Sequence, residues 1–316
     1  IVGMFDKGIE MARTDIIMAF HSDMVVCKDF DKNILKHLER GKVVSATRVE
    51  PPLHPDGPEK ILRNYGIEVE EFDMEVWLEQ SEKLKEDRQT EGIFAPWCMY
   101  REDFLSIGGH DPLFAPQSKE DSDLFNRFVL NGYEIIQSWD ALVYHFTSRG
   151  SRFNKHSGGS AGNNSQEWLH TTNKNMRNFI RKWGNTVQHD PLMKPIITPK
   201  YSVKIRVRNC TPQLLEILEP WCDLISVDLS QEVIDSYISK EESNTIINLR
   251  GKINTNKESE IELKVNGKEM NQQDFHILQQ IPQIIQQSGT VGEFKLGNLE
   301  LSIKGMTDRR NDLIKS

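Results

Sequence analysis

The sequence has few of the features that mark disulfide-rich, zinc-finger, membrane-spanning or nucleic-acid-binding proteins. Its four cysteines form neither a CxxC pair nor a zinc-finger spacing. No apolar run approaches the roughly 20 residues that a membrane-spanning helix needs. The formal net charge of −8 disfavours broad attraction to nucleic acid or to an anionic membrane. We therefore expect a soluble, cytoplasmic protein with reduced thiols, no transmembrane segment and no nucleic-acid partner.

The amino terminus also has neither an initiator methionine nor a signal peptide. The chain begins Ile1-Val2-Gly3, and its first residues already resemble the middle of a domain. This beginning is typical of a fragment or a processed chain. The length of 316 residues is enough for one large domain or two ordinary ones, and 37% hydrophobic and 27% charged residues are ordinary for a globular protein.

Predicted strands and helices alternate along the first part of the chain. The apolar runs 16–20 and 141–145 are typical of strands covered on both faces, and residues 119–130 have helical periodicity. Such alternation predicts an α/β fold with a mostly parallel sheet flanked by helices.

The second part of the chain has a different character. Residues 184–200 contain three prolines and are a predicted linker. Residues 201–316 contain alternating strand patterns and hairpin-turn dipeptides, which predict a smaller α+β domain. We therefore expect a first domain at residues 1–183, followed by the linker and by a second domain in which we find no chemical motif.

The most informative segment is the apolar strand at residues 16–20, which leads into the polar turn His21-Ser22-Asp23. Ligands of open α/β sheets bind beyond the carboxyl ends of the strands, so His21 and Asp23 can point at one cation there. An ordinary polar turn after a strand is the alternative. His145 closes another apolar strand, where a structural hydrogen bond is the alternative role. Two imidazoles and a carboxylate would suit Mn²⁺ and tolerate other metals.

A second acidic group, Glu120-Asp121, stands at a predicted helix start. The pattern Ser118-x-x-Asp121 resembles a capping box, so the acids can simply stabilise the helix. The helix dipole and its free N–H groups also keep a carboxylate ionised, as a general base requires. Both interpretations stay open at this stage.

Aromatic side chains precede a Gly-Gly turn further along the chain. Phe94 and Trp97 are equally compatible with a hydrophobic core and with an aromatic wall for a sugar ring. For Asp111, which precedes Pro112, a turn cap is the alternative to a binding role.

In order and spacing, these segments resemble family 2 glycosyltransferases, which have the GT-A fold. The family has a D-x-D-type element where this chain has His21-Ser22-Asp23, and a G-G-F-D-type turn where it has Gly108-Gly109-His110-Asp111. The helix start Glu120-Asp121-Ser122-Asp123-Leu124-Phe125-Asn126-Arg127 matches an E-D-x-D-L-x-x-R pattern, and His145 matches a histidine at a strand end. The resemblance covers about residues 1–183.

The resemblance implies a metal-dependent, inverting enzyme that moves a sugar from a nucleotide-diphosphate sugar to the hydroxyl of a glycan or another acceptor. It implies that Asp23, His145 and His21 hold Mn²⁺ or Mg²⁺. It also implies that Asp121 is the catalytic base, with Glu120 as the second choice.

The same resemblance implies further site residues. Arg149 and Arg152 are placed to bind the donor diphosphate, with a solvated loop as the alternative. Trp97, His110 and Asp111 are candidates for the acceptor side. Arg127 is expected to pair with nearby acids rather than with phosphate.

Two departures from the family are visible. His21 replaces the first acid of the D-x-D element, and the strands that hold the base and ribose in the family would precede Ile1. A sugar-nucleotidyltransferase is an alternative, although no glycine-rich basic loop is visible near the start. A non-catalytic module that binds a glycan or a protein is another. Three roles stay open for residues 201–316: acceptor binding, homo-oligomer formation or anchoring to a partner.

Overall fold

The computed structural model describes residues 2–147, 159–160 and 163–315. Arg149 and Arg152, the two residues expected to bind the donor diphosphate, lie outside the described residues. Nothing in the structure therefore bears on their assignment.

The chain divides into two compact units. The first comprises Ile1–Thr172, Gln188–Ile196 and Ile314–Ser316, and the second comprises Asn173–Val187 and Ile197–Leu313. These boundaries differ from the expected ones, because the expected linker contributes residues to both units. The division along the chain also falls within a helix, α6 (Gln166–Trp183), rather than after it.

The first unit contains five helices and seven strands among its described residues. The helices are α1 (Val2–Met11), α2 (Phe30–Leu35), α3 (Met74–Leu84), α4 (Arg101–Ser106) and α5 (Glu120–Leu130). The strands are β1 (Ile16–Ala19), β2 (Met24–Val26), β3 (Lys42–Glu50), β4 (Ile61–Leu62), β5 (Gln89–Thr90), β6 (Trp97–Tyr100) and β7 (Glu134–His145). Strands β3 and β7 are buried along nearly their whole length, which explains why their sequences lack polar alternation.

The sheet of the first unit has the strand order β1-β6-β3-β7-β2, with β4 beside β3 and β5 beside β7. The α/β class is confirmed, but the expected mostly parallel arrangement is wrong. Only the β3–β7 and β3–β4 pairings are parallel among the six described for this sheet. Strand β2 follows β1 after four residues, lies at the other end of the strand order and pairs antiparallel with β7.

Helix α5 is held by buried apolar side chains and by the contacts of Arg127 with the turn after α4. Leu124, Phe125 and Phe128 are buried, and each contributes roughly 1.5–3 kcal/mol of burial free energy. The fully buried Arg127 donates from Nε to Asp123 at 2.8 Å, so the expectation that it pairs with a nearby acid is confirmed. Its two terminal nitrogens donate to the carbonyl oxygens of residues 107 and 109, at 3.0 and 2.6 Å.

The second unit has its own sheet and its own core. Its helices are α7 (Pro212–Leu218), α8 (Gln231–Glu241), α9 (Gln272–Gln279) and α10 (Ile281–Ser288). Its strands are β8 (Val203–Arg208), β9 (Leu224–Val227), β10 (Ile261–Asn266), β11 (Gly292–Leu296) and β12 (Leu299–Ile303), in the order β11-β12-β10-β8-β9. Strand β8 is parallel to both neighbours, whereas β12 is antiparallel to both of its own.

The four cysteines form no disulfide, and three of them are buried. No helix in the described part of the chain combines the length and apolar character needed to cross a membrane.

Candidate metal-binding and catalytic site

The antiparallel pairing of β2 with β7 brings together two of the residues identified from the sequence. Met24 lies opposite His145, and the backbone N–H of Phe146 donates to the carbonyl oxygen of Asp23 at 3.0 Å. This register leaves Asp23 Oδ2 3.5 Å from His145 Nε2. The position of a three-residue edge strand therefore sets the distance between the carboxylate and the imidazole.

His21 completes a cluster with these two residues. One nitrogen or oxygen atom from each of His21, Asp23 and His145 lies within 4.8 Å of the others. Imidazole and carboxylate donors together suit Mn²⁺ and several other divalent ions, and three protein ligands leave coordination positions for other molecules. The residues present therefore fit a divalent cation in number and in chemical type.

The electrostatics of Asp23 favour its charged form. Burial raises the pKa of Asp23, but the hydrogen bond and positive charge of His145 outweigh this effect and lower the pKa overall. A carboxylate that stays ionised is the form that binds a metal.

Glu50, at the carboxyl end of β3, belongs to this site but was not identified from the sequence. Its Oε1 accepts a hydrogen bond from His145 Nδ1 at 2.8 Å and another from Arg48 Nη1 at 2.9 Å. Lys60 Nζ donates to its Oε2 at 3.1 Å. Burial raises the pKa of Glu50, but His145 and the two basic side chains lower it to about 2.

The strand register explains why Glu50 belongs to this site. Strands β3 and β7 are parallel, with Val49 opposite Tyr144, so Glu50 and His145 end neighbouring strands at the same edge. The carboxyl ends of parallel strands are where α/β proteins place ligands. Glu50 is the last residue of β3 and directly precedes Pro51 and Pro52, so the local sequence does not show that it ends a strand.

A second cluster involves His110 and Asp6. The side chain of His110 is 2% exposed, and its Nδ1 lies 2.6 Å from Asp6 Oδ1. The backbone N–H of His110 also donates to Asp6 Oδ2 at 3.1 Å. Asp6 on α1, missed in the sequence, therefore fixes both the backbone and the ring of His110, which leaves little of this ring available to an acceptor.

Asp111, the neighbour of His110, has a local structural role. Its Oδ1 accepts a hydrogen bond from the backbone N–H of Leu113 at 2.9 Å, at the start of a 3₁₀ turn, Pro112–Phe114. This contact confirms the capping interpretation, and we no longer assign Asp111 to the acceptor side.

Trp97 lies in the hydrophobic core rather than in an open wall. It is 1% exposed, and its ring centroid lies 5.9 Å from that of Phe104 and 5.6 Å from that of Phe128. A side chain enclosed in this way cannot stack on a sugar, so its assignment to the acceptor side is withdrawn. Residues 97–99 of β6 are all buried, so the strand is covered on both faces and Trp97 has no open side.

Glu120 and Asp121 begin helix α5. Ser118 does not form the expected capping box, because the helix starts at Glu120 and its N-cap, Lys119, has a left-handed backbone and makes no side-chain capping bond. Asp121 is partly exposed, whereas Glu120 is 7% exposed. Two acids therefore stand in the first turn of a helix that lacks the predicted capping box.

The environment of Glu120 is that of an acid–base group. Burial raises its pKa to about 7, the negative charge of Asp121 adds to this effect, and the positive charge of His110 opposes it. Its Oε2 is one of three buried side-chain polar atoms, among the described residues, that have no hydrogen-bond partner. Such an oxygen is free to accept a proton or a hydrogen bond from a bound molecule.

The ring of Phe5 connects the two clusters. Its centroid lies 6.0 Å from that of His21 and 6.2 Å from that of His110. Phe5 of α1 thus contacts both His21 of the first cluster and His110, whose charge acts on Glu120.

Two comparisons with known proteins found no relative of this chain. No protein-family model matches the chain, and no curated protein sequence matches it. What this protein does must therefore be inferred from its own residues.

Proposed function

We propose that the chain is a metal-dependent glycosyltransferase that moves a sugar from a nucleotide-diphosphate sugar to an acceptor hydroxyl. The observation that carries this proposal is the approach of His21, Asp23 and His145 to within 4.8 Å of one another. Two imidazoles and a carboxylate at this separation can hold a divalent cation, and the same unit contains Glu120, whose pKa is raised to about 7. Carboxyl groups with perturbed pKa values are frequent in active sites.

The reaction breaks the bond between the anomeric carbon of the sugar and a diphosphate. Negative charge accumulates on the leaving diphosphate, and a divalent cation supplies charge neutralisation there when bound. Asp23, His145 and His21 are the residues that would hold the cation. The buried Glu50 would keep the His145 ring in place while the charges at the site change.

The acceptor hydroxyl must lose a proton as it attacks the anomeric carbon. We assign the proton-accepting role to the pair Glu120 and Asp121. The resemblance to family 2 enzymes favours Asp121, whereas a pKa of about 7 and an oxygen without a partner favour Glu120. His110, which Asp6 holds in place, would favour the charged form of Glu120.

The pH dependence of the rate separates the two candidates for the base. If Glu120 is the base, kcat/KM for the acceptor rises as the pH increases through about 7, because the carboxylate must lose its proton to act. Glu120→Gln would abolish this rise of kcat/KM with pH and most of the activity, and Asp121→Asn would have the smaller effect. A rate that is already maximal at pH 5.5, or a greater loss in Asp121→Asn, would assign the base to Asp121. In these assays the donor is held well above its KM.

Release of the nucleoside diphosphate tests the proposed reaction itself. The protein is incubated with a panel of nucleotide sugars and Mn²⁺, and the released nucleoside diphosphate is measured. We expect release with at least one donor, a loss of at least 100-fold in Asp23→Ala, and no change in Asp31→Ala, which removes an exposed acid of α2. Formation of a nucleoside triphosphate from pyrophosphate would instead indicate a sugar-nucleotidyltransferase. Silence with every donor would reject catalysis of sugar transfer.

A further inference from the structure

We propose that Glu50 is a positioning residue that turns His145 so that Nε2, and not Nδ1, is presented to a divalent cation shared with Asp23 and His21. The inference rests on the proposed metal site and adds to it a residue that controls ligand geometry. The sequence pattern that identified His21, Asp23 and His145 does not include Glu50.

The first step is the orientation of the imidazole ring. His145 Nδ1 lies 2.8 Å from Glu50 Oε1, while Nε2 faces Asp23 Oδ2 at 3.5 Å. A neutral imidazole has one N–H donor and one lone pair. The carboxylate of Glu50 can only accept, so it keeps hydrogen on Nδ1. When Nε2 carries no hydrogen, its lone pair then lies on the side of Asp23, where a cation would bind.

The second step is the rigidity of Glu50. Its side chain is 2% exposed, and the parallel register of β3 and β7 places its backbone beside that of His145. Arg48 Nη1 holds Oε1 at 2.9 Å, and Lys60 Nζ holds Oε2 at 3.1 Å. Both carboxylate oxygens therefore have fixed partners, and rotation of the carboxyl group would break two ionic hydrogen bonds.

The basic partners of Glu50 are themselves held in place. The guanidinium carbon of Arg48 lies 3.7 Å from the centroid of the Phe94 ring, and its Nη2 lies 3.7 Å from Glu59 Oε1. Lys60 is 7% exposed in its side chain. A chain of contacts thus runs from Phe94 and Glu59 through Arg48 to Glu50, and from Glu50 to the imidazole of His145.

Charge compensation alone does not account for the bond to His145. Arg48 and Lys60 already place two positive charges on one carboxylate, so Glu50 does not need the imidazole as a counter-ion. What the bond adds is direction, because Nδ1–H must point at Oε1. Carboxylate partners of metal-binding histidines have this effect and typically change metal affinity 10–100-fold when they are removed.

The test compares Mn²⁺ binding by the full chain and by matched variants, measured by electron paramagnetic resonance titration without donor or acceptor. Glu50→Gln keeps the shape of the side chain but can also donate to Nδ1, so it no longer selects one tautomer. We expect it to weaken Mn²⁺ binding by about 10–100-fold. Glu75→Gln, at an exposed position of α3 outside these contacts, is the control. We expect it to change the affinity less than threefold.

A second measurement reads the tautomer directly and does not depend on the folding of a variant. Long-range ¹H–¹⁵N correlation spectra of the wild-type chain with Zn²⁺ would show His145 bound through Nε2 and protonated on Nδ1, with the resonance assigned by its loss in His145→Ala. Binding through Nδ1 would overturn the proposal. Mn²⁺ affinity that is lost in Asp23→Ala but unchanged in a folded Glu50→Gln protein would overturn it as well, while leaving the metal site intact. Failure of the wild-type chain to bind Mn²⁺ would overturn both the metal site and this inference.

Discussion

At the scale of single residues, Glu120 is distinctive because its carboxyl group is buried beside another acid. Its pKa of about 7 lies above the ordinary value of 4.5, since burial and Asp121 disfavour the charged form more than His110 favours it. Between pH 4.5 and 7, Glu120 therefore keeps its proton in the folded protein and loses it in the unfolded chain. Stability from this group is complete below pH 4.5 and is lost as the pH rises through 7.

We expect Glu120→Gln to remove this loss. The variant should match the wild type at pH 4.5 and exceed it at pH 8 by up to about 3 kcal/mol, since each unit of pKa shift corresponds to about 1.4 kcal/mol. Urea denaturation at the two pH values measures the difference. Glu75→Gln, at an exposed position of α3, is the control and should show no such dependence. Equal stability of Glu120→Gln and wild type at pH 8 would contradict the buried, protonated acid.

At the scale of elements, the site depends on two junctions. The β2–β7 ladder sets the distance between Asp23 and His145, and Arg127 joins α5 to the turn that carries His110. Each junction uses few contacts, but each fixes a group of functional side chains. The contacts of Arg127 are fully buried, and buried ionic contacts are costly to break.

We expect Arg127→Met to destabilise the first unit by about 3–5 kcal/mol, because it removes the guanidinium from the buried Asp123 and from two carbonyl oxygens. Thermal unfolding of the variant measures this loss. Arg40→Met, which removes an exposed ion pair with Glu102, should cost less than about 1 kcal/mol. Similar effects of the two substitutions would mean that the junction of α5 with the turn contributes little.

At the scale of the whole molecule, the two units share a requirement for ionised buried glutamates. In the second unit, Glu219 is fully buried and contacts Arg181 at 2.6 Å and Lys252 at 2.6 Å. Burial raises the pKa of Glu219, but the two basic side chains lower it well below its ordinary value. The pKa of Glu50 in the first unit is lowered to about 2 in a similar way.

These shifts predict that stability is highest near pH 4.5 and falls as the pH rises toward 7. A glutamate with a lowered pKa contributes stability above its unfolded value of 4.5, and this contribution disappears as the pH falls through the folded pKa. On the other side, Glu120 costs stability as the pH rises toward 7 and beyond. Thermal unfolding followed across pH 3–9 would measure the profile. A maximum above pH 8 would show that other groups dominate.

Local sequence pattern was enough to identify several parts of the site. Asp23 and His145 were identified because apolar runs lead into or end at these polar residues. The antiparallel pairing of β2 with β7, which brings them together, was not predicted. The start of α5 followed from helical periodicity, and the pairing of Arg127 with an acid followed from the acids one turn away. Each of these features depends on residues close together in the sequence, or on where strand ends generally lie in α/β proteins. They can therefore be predicted without the tertiary structure.

Only the tertiary structure decided the rest. The direction of each strand in the sheet, the enclosure of Trp97 by Phe104 and Phe128, and the partnership of His110 with Asp6 all depend on contacts between distant parts of the chain. Glu50 is the clearest case, because nothing near it in the sequence distinguishes it from a surface acid. Its role arises where β3 and β7 end side by side, since burial and hydrogen-bond direction are set by packing rather than by local pattern.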